Sequence, residues 1–496
     1  MEQTSDSEGA AERPELGDVP EEEFRAALHR VADWIADYRA GLEELNISPR
    51  VEPGEITSQL LDAPPEEPAA FEEIFRDFQE QIVPGLVHWG HPKFLGYFGS
   101  TTTAHGILGE MLAAALNVSA MTWRTSPAAT ELEETVLDWL RRMLRLPEAF
   151  TGVVYDTASV AVLHALAAAR ESIGIDARAL GLSGRPEVPA LRIYASEQAH
   201  SSVEKAAITL GLGERNVRRV ACDDAYRLDV SALRRAVGED SKEGFRPLAV
   251  VATVGTTSTT SVDPVREIAS VCREHGLWLH VDAAYGGALA LLPEGRHVFE
   301  GVEEADSVVV NPHKWLFVPL DFSALYVRRP ELLRATFSLV PEYLRGDAAQ
   351  GERNYMDYGV QLGRRFRALK AWMVFRGFGR RGIEARIREH VRLARLFASW
   401  LDADARFELL APVTMAVVCF RAVPPESEGA SAKSEEASND FNRRLVEEVN
   451  ATGRAYLTHT TLRGGRVAVR LAVGNVLTTE RHLSDVYQLV KRLSSV

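Results

Sequence analysis

Ser307-Val308-Val309-Val310-Asn311-Pro312-His313-Lys314-Trp315 is the stretch on which the fold turns: a short, largely apolar strand running straight into a polar knot that carries a lysine. A strand without polar alternation is buried on both faces, the habit of parallel sheets covered by helices on either side. The same kind of run recurs upstream at Leu277-Trp278-Leu279-His280-Val281, Leu248-Ala249-Val250-Val251-Ala252 and Arg192-Ile193-Tyr194-Ala195. Helical patterns such as Val265 to His275 lie between several of these runs. Strand and helix alternating from about 150 to 330 predict an α/β fold with a mainly parallel central sheet covered by helices. Ligands in such sheets sit at the carboxyl ends of the strands.

Outward from this core the pattern changes. Beyond about 365 come long amphipathic helices, strands at 413–420 and 466–472, and a closing helix near 479–493, which predict a small C-terminal α+β domain. We place its boundary at 372–496, with 423–440 as a flexible polar loop, and the large domain at 104–371. Residues 1–23 hold nine acids and one Arg with almost no large apolar side chains, and read as a disordered acidic tail. Residues 24–103 form an N-terminal helical segment in which Phe24, Leu28, Val31, Ile35 and Tyr38 share one helical stripe. That stripe needs covering, and a second copy of the chain is the expected cover.

At 496 residues the chain is too long for one hydrophobic core. Hydrophobic residues at 46% and charged residues at 25% give the balance of a globular protein, not a disordered one. A net charge of −14 argues against a nucleic-acid binder, and no run of 18 apolar residues predicts a membrane partner. Met1-Glu2-Gln3-Thr4 lacks the basic and apolar regions of a secretory signal, so a cytoplasmic protein is expected. Cys222, Cys272 and Cys419 are odd in number and widely spaced, which suits a reducing compartment and excludes a zinc knuckle. Gly377-Phe378-Gly379-Arg380-Arg381-Gly382 matches a dinucleotide fingerprint, but helical residues 368–375 precede it where a strand is required. These glycines read as ending one helix and starting another. His275 and His280 lack partners at ligand spacing and read as structural, so no metal site is expected.

Lys314, just past a buried strand, lies at the ligand end of the sheet. Desolvation there lowers an amine pKa and suits a Schiff-base lysine, although for a lone lysine a surface loop residue is the better reading. Asp282 ends another apolar strand in Val281-Asp282-Ala283-Ala284-Tyr285-Gly286-Gly287. A buried carboxylate needs a partner, and a pyridinium N–H is one; an Asp capping a turn is the plainer alternative. Thr157-Ala158-Ser159 precedes an Ala/Leu-rich helix from Ala161 to Arg170, whose N-terminus could bind an anion or simply be capped.

Six blocks in order carry a family resemblance: Ser126-Pro127-Ala128-Ala129-Thr130-Glu131-Leu132-Glu133, Ser196 to Lys205, Gly255-Thr256-Thr257, His280 to Tyr285, Asn311 to Trp315, and Leu362-Gly363-Arg364-Arg365-Phe366-Arg367. From about residue 24 to the C-terminus the chain resembles the pyridoxal-phosphate-dependent group II amino-acid decarboxylases, most closely those of aromatic L-amino acids. The resemblance implies the fold-type-I, transferase-like architecture of pyridoxal-phosphate enzymes, with the cofactor pyridoxal 5'-phosphate in a homodimer. It implies that Lys314 holds the cofactor as a Schiff base and that Asp282 pairs with the ring nitrogen. His200 would stack on the ring and orient the substrate carboxylate. Ala158, Ser159, Thr257, Asn311 and His313 would help bind the cofactor. Tyr97, Phe98, Ser100, Ser119, Met121 and Leu320 would line the substrate pocket. Tyr343 would reach the neighbouring subunit's active site from a mobile loop, and either His200 or Tyr343 would serve as the proton route.

Two departures stand out. Val160 replaces the acid common in the family's phosphate cup, with Tyr155-Asp156 ahead of it. Ser119 and Met121 stand where aromatic-specific relatives tend to have bulky apolar residues. The resemblance implies decarboxylation of an L-amino acid of aromatic type to the amine and carbon dioxide. The alternatives are an aldehyde synthase on the same fold, a decarboxylase of acidic or small amino acids, and a cofactor-binding scaffold without turnover.

Overall fold

A computed structural model describes residues 18–99, 101–339, 352–424 and 435–495. Two compact units emerge, residues up to 45 with 49–86, and 46–48 with 87 onward.

The first unit contains α1 (Glu21–Ala40), α2 (Glu55–Gln59) and α3 (Phe71–Asp77). On α1, Trp34 stacks on Tyr38 at 5.2 Å and meets Phe75 edge-on at 6.4 Å. No residue of α1 is fully buried, and Phe24 and Leu28 of the stripe are exposed, so this unit leaves part of its apolar face uncovered. The helix begins at Glu21, inside the span read as tail; residues 1–17 lie outside the described residues.

The second unit opens with α4 (Ala104–Leu116) and α5 (Pro127–Leu144). It continues through β1 (Thr151–Tyr155), α6 (Ala158–Ser172), α7 (Ala177–Leu180), β2 (Leu191–Ser196), α8 (Ser202–Thr209), β3 (Val217–Val220), α9 (Val230–Lys242) and β4 (Arg246–Thr253). Next come α10 (Val265–His275), β5 (Trp278–Asp282), β6 (Ser307–Val310), α11 (Pro312–Trp315), β7 (Ser323–Val327) and α12 (Pro330–Phe337). It closes with α13 (Arg367–Asp402), β8 (Phe407–Leu409), β9 (Val417–Ala422), α14 (Glu435–Ala451), β10 (Thr458–Thr461), β11 (Val467–Ala472) and α15 (Glu480–Leu493).

The large sheet has the order β1-β7-β6-β5-β4-β2-β3. All its pairings are parallel except those of β7, which runs antiparallel to both β1 and β6. The expected double burial is visible in β6. Val309 joins the layer of Ala161, Ala165 and Ala168 from α6, while Val308 and Val310 face the opposite layer with Val281 and Leu279's neighbours. The alanines of α6 let it lie close to the sheet, and Ala165 to Ala169 are fully buried. The second sheet, β10-β11-β9-β8, is antiparallel throughout.

The glycine triplet at 377–382 lies inside α13, where Gly379 has φ 61° and ψ 164° and breaks one helix from the next, as the sequence suggested. The same helix runs through residue 372, where the sequence reading placed a boundary. Helix α14 begins at Glu435, so the end of the 423–440 stretch is helical, while 425–434 lie outside the described residues. Among the described residues no helix is long and apolar enough to cross a membrane.

Candidate active site

Adjacent parallel strands β5 and β6 end side by side, with Asp282 in register with Val309. Their carboxyl ends therefore bring Asp282 and the Asn311–Lys314 turn to one place. Lys314 sits in α11 immediately after β6. A cavity of about 180 Å³ there is lined by Lys314, Asp282, His200, Ala158, Ser159, Thr257, Asn311, His313 and Phe98 among others. It adjoins a wider chamber of about 620 Å³ that shares Phe98, His200, Thr257 and Lys314 and adds Trp89, Tyr97, Tyr456 and Arg470.

Burial pushes the Lys314 amine below its ordinary value, and the Arg470 cation adds to that, against the pull of Asp282. An amine so placed loses its proton more readily and becomes a better nucleophile. The same desolvation lowers His200, again opposed by Asp282. His200 keeps an open face to the chamber, and its Nδ1 accepts the Ser202 amide at 3.1 Å, which leaves Nε2 to carry the proton of the neutral ring. His313 is buried and pushed down to about 3, with Nδ1 accepting the Phe322 amide at 2.9 Å. His280, read as structural, is fully buried and bonds Ser307 Oγ at 2.8 Å.

The residues present fit pyridoxal phosphate. Asp282 is buried, accepts the Ala284 amide at 3.0 Å, and makes no ion pair with a described side chain, so its charge is available to a pyridinium. The first turn of α6 has no side-chain cap from Thr157, which leaves its amides for an anion at Ala158 and Ser159. Thr253 Oγ1, on the cavity wall, is buried without a partner. Gly255 has φ +90°, and a Cβ there would lie 2.9 Å from the Gly286 nitrogen, so only glycine suits this part of the wall.

Not every expected residue gathers here. Ser119, Met121 and Leu320, expected in the substrate pocket, do not line either cavity of the single chain. Ser119 lines a separate recess of about 570 Å³ with Asn117 and Arg364, Met121 offers its carbonyl to the Met356 amide, and Leu320 is exposed. The physical reason is that these residues follow α4 or neighbour it on an outward apolar face, where Leu108, Leu112 and Leu116 are about half exposed. Ser100 and Tyr343 lie outside the described residues.

Arg470 is the functional neighbour that the sequence reading missed. It comes from β11, is 4% exposed, and donates to the Ser258 carbonyl at 3.1 Å and to the Tyr97 carbonyl. Its guanidinium lies 4.6 Å from the centre of the Phe98 ring, and Lys314 Nζ lies 5.0 Å from the same ring. Phe98 in turn stacks on Tyr285 at 3.9 Å, and Tyr285 on Trp315 at 4.7 Å. A lone charge within Val467-Ala468-Val469-Arg470-Leu471-Ala472 was the available signal, since a buried cation needs a reason.

Residues 53–423 match the model of the pyridoxal-dependent decarboxylase conserved domain. The chain is 40% identical over 486 residues to tyrosine decarboxylase 1 of Narcissus pseudonarcissus, covering 96% of this chain and 93% of that protein. It is 39% identical over 482 residues to phenylacetaldehyde synthase of a Rosa hybrid cultivar, covering 95% and 93%. The crystal structure of Oryza sativa TDC with PLP and tryptamine superposes with a TM-score of 0.91 at 38% identity, covering 97% of this chain and 99% of that one. With a domain match over most of the chain and the lysine, aspartate and histidine gathered at one strand-end cavity, this protein is a member of the pyridoxal-dependent decarboxylase family.

Proposed function

We propose that this enzyme removes the carboxyl group of an aromatic L-amino acid to give the amine and carbon dioxide, using pyridoxal 5'-phosphate. The observation that carries the reading is the convergence of Lys314, Asp282 and His200 on one cavity in a chain closely similar to enzymes of aromatic compounds. Tyrosine, tryptamine and phenylacetaldehyde in those names share an aromatic ring. The outer chamber suits such a ring, because Trp89 stacks on Tyr97 at 5.4 Å and Tyr456 lies beside them.

Bound in the inner cavity, the cofactor supplies a carbonyl for the amino group and an electron sink for the charge left when carbon dioxide departs. The chain's residues do the rest. Lys314 Nζ, with its depressed pKa, would be the amine that holds the cofactor carbonyl. Asp282 would keep a proton on the ring nitrogen. The amides of Ala158 and Ser159, with Thr257, would hold the phosphate, while Asn311 and His313 hold the turn that carries Lys314. His200 would meet the substrate carboxylate with its Nε2 proton, and Phe98 and Tyr97 would orient the substrate side chain. Either His200 or Tyr343 would deliver a proton to Cα.

The assembly we assign is a homodimer. The outward leucines of α4 and the exposed stripe of α1 are apolar surface of the kind a second copy covers. Ser119, Met121 and Leu320 would then complete the pocket of the neighbouring subunit. A fully active monomer in sedimentation would contradict this. Three buried cysteines without a disulfide agree with a cytoplasmic location.

The rose relative gives one specific reason for a second reading, an aldehyde as product. Amine, carbon dioxide and peroxide measured together on tyrosine, DOPA, tryptophan, phenylalanine and glutamate separate the two. Amine matching carbon dioxide without peroxide, on the aromatic substrates only, is the expected result; peroxide matching carbon dioxide would favour the aldehyde, and glutamate turnover would end the aromatic assignment.

A further inference from the structure

Residues 358–361 are fastened at three points to the end of β1, the turn after it and α6. Tyr155 Oη donates to the Tyr358 carbonyl at 2.5 Å, the Val360 amide donates to His164 Nε2 at 3.1 Å, and Gln361 Nε2 donates to Asp156 Oδ2 at 3.3 Å. Asp156 Oδ1 in turn accepts the Thr157 amide at 2.6 Å, immediately before the cup residues Ala158 and Ser159.

His164 is the joint of this fastening. It is fully buried, stacked on Tyr155 at 4.3 Å and tilted against Phe337 at 4.6 Å. Its Nδ1 lies 2.6 Å from the Val160 carbonyl in the first turn of α6. A carbonyl can only accept, so Nδ1 carries the ring proton and Nε2 is the acceptor that the Val360 amide requires. Burial keeps the ring neutral by pushing its pKa down to about 4. Gly359 passes so close that a Cβ there would lie 2.8 Å from His164 Nε2 and 3.0 Å from the Tyr155 ring. Its backbone is extended, so the glycine answers proximity and not conformation.

Val160, in the first turn of α6, has a side chain that offers no polar atom. We propose that His164 is a positioning residue for the cofactor phosphate, clamping the first turn of α6 to the strap of residues 358–361. The proposal rests on the reading that Ala158 and Ser159 receive that phosphate. Without the clamp the first turn can shift, and amides that have lost their aim bind a dianion less well while the ring-binding groups stay in place.

The test is a titration of the apo-enzyme with pyridoxal phosphate and, separately, with pyridoxal, which lacks the phosphate. His164→Leu should weaken pyridoxal phosphate about tenfold and leave pyridoxal unchanged, as expected for the loss of hydrogen bonds that act on one end of the ligand. His164→Gln, which can still donate and accept, should stay within about threefold of the parent for both ligands. Equal weakening of the two ligands by His164→Leu, or none, overturns the proposal. Ala158→Pro, run in parallel, removes one of the amides assigned to the phosphate at a first helical position that tolerates proline, and separates the readings: a loss of pyridoxal phosphate affinity there without one at His164→Leu ends only the role of His164, whereas neither loss also ends the phosphate assignment. Should His164→Leu fail to fold, Gly359→Ala, which drives a methyl group against Nε2, is read by the same two criteria.

Discussion

Glu133 Oε1 lies 2.6 Å from Arg364 Nη2, with the carboxylate 2% and the guanidinium 5% exposed. The pair is fully bonded. Glu133 also accepts the Val154 amide at 3.1 Å, and Arg364 donates to the carbonyls of Ala120 and Val154, each at 2.9 Å. Two of the six blocks that carry the family resemblance therefore meet in a buried ion pair, and their role there is architectural. Through Ala120 the pair fixes the turn that carries Ser119 and Met121.

Arg364→Met should lower the unfolding free energy by about 3–5 kcal/mol, because it strands the Glu133 charge in the interior. Arg364→Met with Glu133→Leu should recover much of that loss, since no charge is then left unpaired. Urea unfolding of the three proteins checks this; a loss under about 1 kcal/mol for the single variant would mean that Glu133 finds another partner.

Arg470→Met should raise the pKa of Lys314, since it removes a neighbouring cation that helps to deprotonate the amine. The rate at which apo-enzyme takes up pyridoxal phosphate depends on the neutral amine, so its pH profile should move to higher pH. Arg470→Lys keeps the charge and should leave the profile near that of the parent. A profile unmoved in Arg470→Met would show that burial alone sets the amine.

The visible and hidden parts of this site divide on physical grounds. Lys314 and Asp282 were legible because each ends a continuous apolar strand, and polar residues at such ends have few structural reasons to be there. The direction of β7 was not, since Ser323-Ala324-Leu325-Tyr326-Val327 is apolar whichever way it runs. Arg470 belongs to a strand of the smaller sheet and meets Lys314 only through the tertiary fold. Ser119, Met121 and Leu320 line neither cavity of the chain, and nothing in their linear pattern says that they sit near an outward face beside α4. His164 looked like one more residue of an apolar helix.

Acid should destabilise the protein through its buried histidines. His164, His280 and His390 are pushed down to about 4 and His313 to about 3 by burial, whereas unfolded histidines titrate near 6.5. Below about 6.5 the unfolded chain binds protons that the folded chain refuses, so stability is fully present above that pH and falls as pH drops towards 4. Asp263, pushed up to about 6 by burial, works the other way and offsets one of these protons. Each uncompensated histidine contributes about 1.4 kcal/mol per pH unit. Urea unfolding between pH 7 and 5 should therefore show a midpoint that falls steeply; a flat midpoint would mean that these rings are protonated in the fold.

The central claim is that Lys314, at the end of β6, is the lysine that holds the cofactor. Borohydride reduction of the holoenzyme followed by peptide mapping tests it directly. The account predicts the mass of the reduced pyridoxyl phosphate group on the peptide containing Lys314, and no such label in Lys314→Ala. Label on Lys370, whose side chain is 2% exposed, or on any lysine that persists in Lys314→Ala, would contradict it.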